Sequence, residues 1–214
     1  MTAVIYSHSH TDHYGGVRGV VDEADVRAGR VPVVAPAGFM EEVVSENVLA
    51  GTPMIRRAQF QFGATLPRGP RGQVDAGLGK GTSRGTVTLI PPTVTVTEPF
   101  ETHRLDGVEM VFQVTPDSEA PAEMHMFYPE LRALNLAENA THNLHNTYPI
   151  RGAQVRDANA WAKYIDEALA RFAPGADVVF AQHHWPVWGA RGWRTSSARS
   201  ATSTSTSTTR RCAS

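Results

Sequence analysis

Four side chains of the types that bind metal ions lie within six residues near the N-terminus. The stretch HSHTDH, residues 8–13, is separated by Ser7 alone from the apolar run AVIY, which has the composition of a buried strand. Alternate side chains of an extended loop point to one side, so His8 and His10 can share one metal ion. Asp12 and His13 can then turn toward a second ion. Imidazole and carboxylate groups suit zinc and similar divalent cations. The stretch therefore predicts a metal site in a loop that follows a strand.

The elements that would position this motif alternate between strands and helices. A second buried strand is expected within residues 30–39, followed by a helix over about residues 37–49 that ends at Gly51. Residues 63–85 are rich in glycine, proline and arginine, which predicts a long irregular loop. The motif and the glycines after it, residues 8–16, are also expected to form a loop.

The second half of the chain is richer in β-structure. Asp106-Gly107 predicts a tight hairpin turn between two alternating segments. An amphipathic helix is expected from Asp157, whose side chain suits an N-cap, to about Phe172. Mixed strands and helices indicate α/β or α+β layers. The strands predicted in this half are residues 86–90, 93–97, 100–105, 108–114, 124–128, 132–136 and 176–181.

Composition and charge exclude several classes of protein. The chain has 214 residues, a formal net charge of −1 and 41% hydrophobic residues, which indicates a globular core and no surface for nucleic acid. Its apolar runs are far shorter than the roughly 20 residues of a membrane span. No signal peptide is recognisable, and the sequence does not indicate a localisation. Cys212, the one cysteine, can form no internal disulfide. We expect one domain over residues 1–190 and a disordered, Ser/Thr-rich tail over residues 191–214.

Residues 8–13 fit the pattern H-x-H-x-D-H and resemble the signature of the metallo-β-lactamase superfamily. The resemblance implies an α/β fold, the αββα sandwich, with the motif at the end of a core strand. It also implies two Zn²⁺ ions that activate a bridging water, although other divalent metals suit the same ligands. Family members carry strands before the motif, so the fold is expected to be incomplete on its N-terminal side.

The same resemblance implies further ligands from loops that follow later strands. Glu119 is expected to complete the first metal site, where most of the superfamily has histidine, and Glu123 is the alternative. Glu138 is expected to bridge the two metals. His183 is expected to bind the second metal, with His184 supporting it or replacing it. The predicted metal ligands are His8, His10, Asp12, His13, Glu119, Glu138 and His183.

Longer phrases resemble the alkylsulfatase branch of the superfamily, which hydrolyses long-chain alkyl sulfates. They include SHSHTDHYGGVRGV, ENATHNLHN and QHHWPVWG, and they run from about residue 3 to residue 189. The resemblance implies a zinc-dependent hydrolase of sulfate esters with a small alkyl sulfate as its substrate, acting as a homodimer. The helical dimerisation region of that branch is absent from this chain, so a fragment is expected.

A sulfate ester is an anion, so its site needs positive charge besides the metal ions. Arg151 is the favoured candidate, because a planar guanidinium can bind two sulfate oxygens. Arg156 is the second candidate, and it is less favoured because it directly precedes a helix cap, where pairing with Asp157 is the alternative. The glycine-rich stretch 77–85 either presents backbone N–H groups to the anion or is only a flexible loop. Nearby histidines are candidates for protonating the leaving alkoxide. The predicted catalytic residues are Arg151, His142, His145 and Asn146.

Several alternatives remain open at this point. The aromatic residues Phe60, Phe62, Trp185 and Trp188 either line the path of an alkyl chain or, as the better interpretation, pack in the core. A binuclear centre also suits hydrolysis of a lactone, thioester or phosphodiester, although the phrases TPDSEAPAEM and YPIRG favour a sulfate ester. A third hypothesis is a non-catalytic fragment that binds metal without turnover.

Overall fold

The computed structural model describes residues 1–81, 85–143 and 145–189, and within them short strands alternate with helices. The helices are α1 (Thr11–Tyr14), α2 (Glu23–Arg27), α3 (Phe39–Val44), α4 (Gly51–Gln61) and α5 (Ala158–Phe172). The strands are β1 (Val4–Ile5), β2 (Val33–Pro36), β3 (Val94–Val96), β4 (Phe100–Leu105), β5 (Val108–Val114), β6 (Met124–Tyr128), β7 (Ala133–Asn135), β8 (Val178–Phe180) and β9 (Val187–Trp188).

The strands form two sheets that share a buried layer of side chains. The first sheet contains β1, β2 and β3, all parallel. The second has the order β4-β5-β6-β7-β8-β9 and is antiparallel except between β7 and β8. Val34 and Val96 of the first sheet cluster with Phe112, Met124 and Met126 of the second. The two sheets therefore pack face to face.

Helices cover the other face of each sheet. On the first sheet, Val33 joins Tyr14 of α1 and Phe39 of α3 in one buried cluster. On the second sheet, Phe127 stacks on Phe172 of α5 with ring centroids 5.0 Å apart. Successive residues of a strand face opposite sides, which is why neighbours in β2 and β6 belong to different layers. The order helix, sheet, sheet, helix is the αββα sandwich that the sequence predicted.

Local signals predicted several elements correctly. Strands β4, β5 and β6 have the predicted bounds. The turn after β4 places Asp106 at a φ of 51° and Gly107 at 78°, the left-handed conformation that a two-residue type I′ hairpin requires. Helix α5 follows Asp157, whose Oδ1 accepts the N–H groups of Asn159 at 2.9 Å and Ala160 at 3.0 Å.

The helix predicted over residues 37–49 does not end at Gly51, and that prediction is wrong. Helix α3 passes through a π-helical turn, Ser45–Leu49, into α4, which begins at Gly51. Gly51 does not take the left-handed conformation of a helix-ending glycine. Pro53 lies in the first turn of α4, where a missing N–H costs no bond within that helix.

Two other segments also differ from the prediction. The motif segment, residues 8–16, contains the short helix α1 rather than loop alone. Residues 86–90 are not a strand. Thr88 N–H donates to the Gly15 carbonyl at 2.8 Å, and the Ile90 carbonyl accepts from the Tyr6 hydroxyl at 3.0 Å. This segment therefore packs on the outer helical layer instead of joining a sheet.

Part of the prediction cannot be compared with the structure. The predicted tail, residues 191–214, lies outside the described residues, and so does Cys212. In the described ranges, no helix is both long enough and apolar enough to cross a membrane.

The carboxylate of Glu101 holds the turn between β3 and β4. It accepts the backbone N–H groups of Thr97 and Glu98, the latter at 2.7 Å, and lies 2.9 Å from His103 Nε2. Burial opposes ionisation, but these donors lower the pKa of Glu101 from 4.5 to about 2.

We expect Glu101→Gln to lower the free energy of unfolding at pH 7. Because the pKa of Glu101 is depressed in the fold, its ionised form stabilises the fold above pH 4.5, and this stabilisation is lost as the pH falls toward 2. Denaturant unfolding should show that wild type and variant differ less in their free energy of unfolding at pH 3 than at pH 7. The exposed Glu130→Gln is the control. An equal difference in the free energy of unfolding at both pH values would contradict the prediction.

Candidate metal centre

Strand β1 and helix α1 bring the N-terminal motif to one edge of the sandwich. His8 and His10 lie in the loop after β1, and the other two ligand-type residues of the motif lie in α1. The loop is tied to the segment before β6, because Ser9 N–H donates to the Ala122 carbonyl at 3.1 Å. The motif is therefore held by both sheets.

The other predicted ligands follow strands of the second sheet. Glu119 follows β5, Glu138 follows β7 and His183 follows β8, so each lies beyond the carboxyl end of its strand. Ala137 has a left-handed φ of 49°, and its carbonyl accepts the Gln182 N–H at 2.7 Å. This bond holds the loops of Glu138 and His183 side by side.

Four buried side chains form a first group of possible metal ligands. His8 Nε2 lies 3.8 Å from Glu119 Oε2 and 3.3 Å from Glu138 Oε2. His10 Nδ1 lies 2.9 Å from Glu119 Oε2. Their ligand-type atoms all lie within 4.8 Å of one another. Two imidazoles and two carboxylates form a donor set that suits a divalent cation.

A second group lies beside the first and shares one residue with it. His13 Nε2 lies 3.0 Å from Glu138 Oε2 and 3.2 Å from Asp12 Oδ2. His183 Nε2 lies 3.3 Å from the same Glu138 oxygen and 3.4 Å from Asp12 Oδ2. Glu138 therefore belongs to both groups. All seven residues predicted as ligands meet at this edge of the fold.

Several atoms of the two groups lack hydrogen-bond partners. Among the described residues, His8 Nε2, Glu119 Oε2 and His183 Nε2 are buried, and none of their close contacts has the geometry of a hydrogen bond. A buried polar atom without a partner is uncommon, because it has lost its hydration without compensation. A cation among these atoms would satisfy them together. The residues present therefore fit a divalent metal ion in each group.

Carboxylates dominate the electrostatics of the two groups. Burial works against charge on His13, but Asp12 and Glu138 raise its pKa to about 9. The same two carboxylates raise the pKa of His183 to about 10. Burial lowers the pKa of His8 to about 4. Burial also opposes ionisation of Glu138, yet the surrounding histidines keep its pKa well below the ordinary value. Clustered carboxylates of this kind attract cations.

A cavity of about 220 Å³ opens beside the two groups. It brings acidic, basic and apolar side chains together at one opening. Its lining includes Glu119, Glu138, Arg151, Arg156, Phe62 and Leu78.

Arg151 has a hydrogen-bond donor that no described residue uses. Its Nη2 donates to Glu46 Oε1 at 3.0 Å and lies 3.0 Å from His10 Nε2. Its backbone N–H donates to Gln61 Oε1 at 2.9 Å. Its Nε is buried and has no partner among the described residues. Arg151 also lines the cavity, so its guanidinium charge lies beside the space where an anion could bind.

Arg156 does not pair with Asp157, so that alternative is wrong. Its Nη2 donates to Glu119 Oε1, and its Nη1 donates to Asn146 Oδ1 at 2.9 Å. Asp157 caps α5 instead, because the chain turns into the helix at that point. Arg156 is buried, so its charge steadies the Glu119 carboxylate inside the fold.

His145 lies between the two glutamates of the site. Its Nε2 lies 3.1 Å from Glu138 Oε1 and 3.3 Å from Glu119 Oε1. Its Nδ1 lies 3.0 Å from Arg156 Nη1. The same Nδ1 lies 3.2 Å from the Asn146 carbonyl, so it faces both a donor and an acceptor. His145 and Asn146 both line the cavity.

The structure places His142 and His184 away from the cavity. His142 Nε2 lies 3.1 Å from the Trp185 carbonyl, and the His142 backbone N–H donates to His184 Nδ1 at 3.4 Å. His184 Nε2 faces Asn143. Of the histidine pair, His183 belongs to a ligand group and His184 does not. The catalytic role predicted for His142 has no support in its position.

Glu123, the predicted alternative to Glu119, braces the loops of the site. Its Oε2 accepts the Ser118 hydroxyl and the Ala120 N–H, both at 2.9 Å, and its Oε1 accepts the Glu138 N–H at 3.0 Å. Burial and the nearby Glu119 charge raise the pKa of Glu123 to about 8. Its oxygens are occupied by these donors, and it belongs to neither ligand group.

The aromatic residues divide between the cavity and the surface. Phe62 lines the cavity. Phe60, Trp185 and Trp188 are 77%, 69% and 73% exposed, so the core-packing interpretation is wrong for these three. In the glycine-rich stretch, the Gly77 N–H donates to an aspartate of its own loop at 2.7 Å and is not free for an anion.

Two residues beside the site escaped the sequence analysis. Glu46 pairs with Arg151 and lies 3.7 Å from His10 Nε2, and Gln61 holds the Arg151 backbone. Both lie on the helical run that continues past Gly51, which was predicted to stop there. Helical spacing alone assigns such polar residues to the surface.

The profile of the metallo-beta-lactamase superfamily matches residues 1–183. The chain belongs to the metallo-β-lactamase superfamily. The match extends from β1 to the end of the second ligand group and includes all seven predicted ligands.

Within this superfamily, the chain is similar to alkylsulfatases. It is 57% identical over 186 residues to the alkyl/aryl-sulfatase BDS1 of Saccharomyces cerevisiae, which covers 87% of this chain and 29% of that protein. It is 58% identical over 189 residues to a linear primary-alkylsulfatase of a Pseudomonas species, covering 88% and 28%. The chain thus spans less than a third of the length of these relatives.

Solved structures agree with the fold assignment. The stereoselective inverting sec-alkylsulfatase Pisa1 from Pseudomonas superposes with a TM-score of 0.90 at 52% identity, covering 94% of this chain and 32% of that one. A metallo-β-lactamase from Hirschia baltica gives a TM-score of 0.57 at 13% identity, covering 95% and 68%. The second similarity shows the metallo-β-lactamase fold alone.

Proposed function

We propose that this chain binds two zinc ions and hydrolyses an alkyl sulfate ester. The observation that carries the proposal is the sharing of Glu138 by two groups of ligand-type residues, beside an arginine with an unused donor. The shared carboxylate supports two adjacent cations, and the arginine supports an anionic substrate. The similarity to alkylsulfatases supports the choice of ester.

Seven side chains would hold the two metal ions. The first ion would be held by His8, His10 and Glu119, and the second by Asp12, His13 and His183. Glu138 would bind both. When bound, zinc ions supply a water of lowered pKa and fixed positive charge at the reacting ester. The carboxylates around His13 and His183, which raise the pKa of both rings, supply negative charge that suits divalent cations.

Arg151 would hold the sulfate group. Its Nε is free among the described residues, and Gln61 and Glu46 fix its backbone and its Nη2. A guanidinium fixed in this way loses little freedom when it binds two sulfate oxygens. The alkyl chain would leave the cavity past Phe62 and Leu78, which line it.

His145 would protonate the departing alkoxide. Its Nε2 lies 3.3 Å from Glu119 Oε1 and 3.1 Å from Glu138 Oε1, at the lining of the cavity. In its imidazolium form, His145 would transfer the Nε2 proton to the alkoxide oxygen, which gives the alcohol and neutral imidazole. Asn146 accepts from Arg156 through its Oδ1 and so orients the guanidinium beside His145. Of the predicted catalytic residues, Arg151, His145 and Asn146 keep a role in this proposal.

Turnover of three substrates tests the proposal. We expect the zinc-loaded chain to hydrolyse dodecyl sulfate faster than p-nitrophenyl phosphate or a lactone, and to lose this activity after treatment with a chelator. Restoring zinc should restore turnover. Faster hydrolysis of the phosphate or the lactone would contradict the choice of sulfate ester. Zinc binding without turnover of any substrate would favour the non-catalytic fragment.

A further inference from the structure

Beneath the first ligand group, a buried chain of amides and one histidine joins helix α5 to Glu119. We propose that His125 is a positioning residue for Glu119, acting through the side chain of Asn139. The inference rests on the proposed function, because it takes Glu119 to be a metal ligand. His125 is fully buried within β6 and belongs to neither ligand group.

The series of hydrogen bonds begins at α5, whose acceptor groups fix the orientation of the Gln113 amide in β5. Its Nε2 lies 3.2 Å from the Tyr164 carbonyl and 3.3 Å from Glu167 Oε2. A carbonyl and a carboxylate both accept hydrogen bonds, so the amide nitrogen of Gln113 must face them. Its carbonyl oxygen, Oε1, therefore faces His125.

This orientation fixes the tautomer of His125. The Nδ1 atom of His125 lies 3.0 Å from Gln113 Oε1, which only accepts, so Nδ1 carries the proton. Burial lowers the pKa of His125 to about 3, in keeping with a ring that carries one proton. The second nitrogen, Nε2, is then a bare acceptor facing Asn139.

The bare nitrogen of His125 in turn orients Asn139. Asn139 Nδ2 donates to His125 Nε2 at 2.8 Å and to Thr115 Oγ1 at 3.3 Å. Asn139 Oδ1 then faces the Glu119 backbone N–H, which donates to it at 3.1 Å. The opposite orientation of the amide would set its NH₂ group against the Glu119 N–H and its oxygen against a bare nitrogen. Each bond thus follows from the one before it.

This series of hydrogen bonds holds the backbone at Glu119 in place. Trp161 Nε1 donates to the Asn139 carbonyl at 3.0 Å, which anchors the Asn139 backbone to α5. Because Glu138 immediately precedes Asn139, the same residue connects both glutamates of the first group. Residues that orient metal ligands through hydrogen bonds commonly affect metal affinity strongly.

Substitutions of His125 test the inference through zinc affinity. His125→Leu removes the acceptor for Asn139, and we expect about a 10- to 100-fold weaker binding of one zinc ion, measured by chelator competition. His125→Gln places an amide oxygen near the position of Nε2, and should retain most of the affinity. Met126→Ala is the control, since Met126 is buried in β6 but faces the layer between the sheets. It should lower the melting temperature without changing zinc affinity.

Several outcomes would overturn the inference. Wild-type zinc affinity in His125→Leu would do so, as would an equal loss of affinity in Met126→Ala. Should His125→Leu not fold, ¹⁵N NMR of the wild-type ring decides, because a proton on Nε2 contradicts the chain of bonds and a proton on Nδ1 supports it. A wild-type chain that binds no zinc would instead overturn the proposed function, and this inference with it.

Discussion

Replacing Glu138 with glutamine is expected to abolish binding of the second zinc ion and to reduce hydrolysis of dodecyl sulfate by about 10³-fold. An amide is uncharged and has one oxygen, so it cannot serve both ligand groups. Metal-ion stabilisation of charge in the reaction is worth several kcal/mol, and each 1.36 kcal/mol changes the rate tenfold. Metal analysis and steady-state kinetics on the same preparation measure both effects.

The matched control for this variant is Glu130→Gln. Glu130 is exposed at the turn after β6, and its nearest described cation is Arg104 at 3.6 Å. It should leave zinc content and turnover unchanged. If the Glu138→Gln chain retained two zinc ions and full turnover, the shared carboxylate would not be required for metal binding or hydrolysis.

Replacing Arg151 with lysine is expected to lower kcat/KM for dodecyl sulfate by about 10- to 100-fold, mainly through KM. A hydrogen bond to a charged group contributes about 1.5–3 kcal/mol, and an ammonium group cannot reproduce the planar pair of donors. Zinc content should remain at the wild-type value, because Arg151 binds the substrate rather than the metal. Initial rates over a range of substrate concentrations separate KM from kcat.

Arg104→Lys provides the corresponding control, since Arg104 lies at the β4–β5 hairpin and pairs with Glu109 at 3.2 Å. Its kinetics should match the wild type. If Arg151→Lys also kept the wild-type KM, the guanidinium would have no part in holding the sulfate group.

The predictions that succeeded depend on local sequence. Asp106-Gly107 predicts its turn because few residue pairs adopt two left-handed conformations in succession. The strand β2 was recognisable because a central strand buried on both faces is a continuous apolar run. The motif at residues 8–13 was recognisable because its ligand-type residues are adjacent in the chain.

The predictions that failed depend on tertiary contacts. Gly51 ends a helix only where its backbone turns left-handed, and here a π-helical turn carries the chain into α4 instead. The partner of Arg156 is 37 residues away, so proximity to Asp157 was misleading. Glu46 and Gln61 join the site through contacts with Arg151, which is 105 and 90 residues away from them in the sequence. Sequence spacing contains no information about such contacts.

The chain of bonds beneath Glu119 shows a similar dependence on the fold. Gln113, His125 and Asn139 lie in three separate segments, β5, β6 and the loop after β7. Each residue alone reads as an ordinary polar position of a strand or loop. Their function in the proposal arises from the register that pairs Gln113 with His125 across the two strands.

The zinc content of the purified chain tests the central claim most directly. The chain should be loaded with excess zinc, freed of unbound metal by gel filtration and analysed by elemental mass spectrometry. The account predicts about two zinc ions per folded chain and fewer in Glu138→Gln. A folded wild-type chain that retains no zinc, as judged by circular dichroism on the same sample, would contradict it.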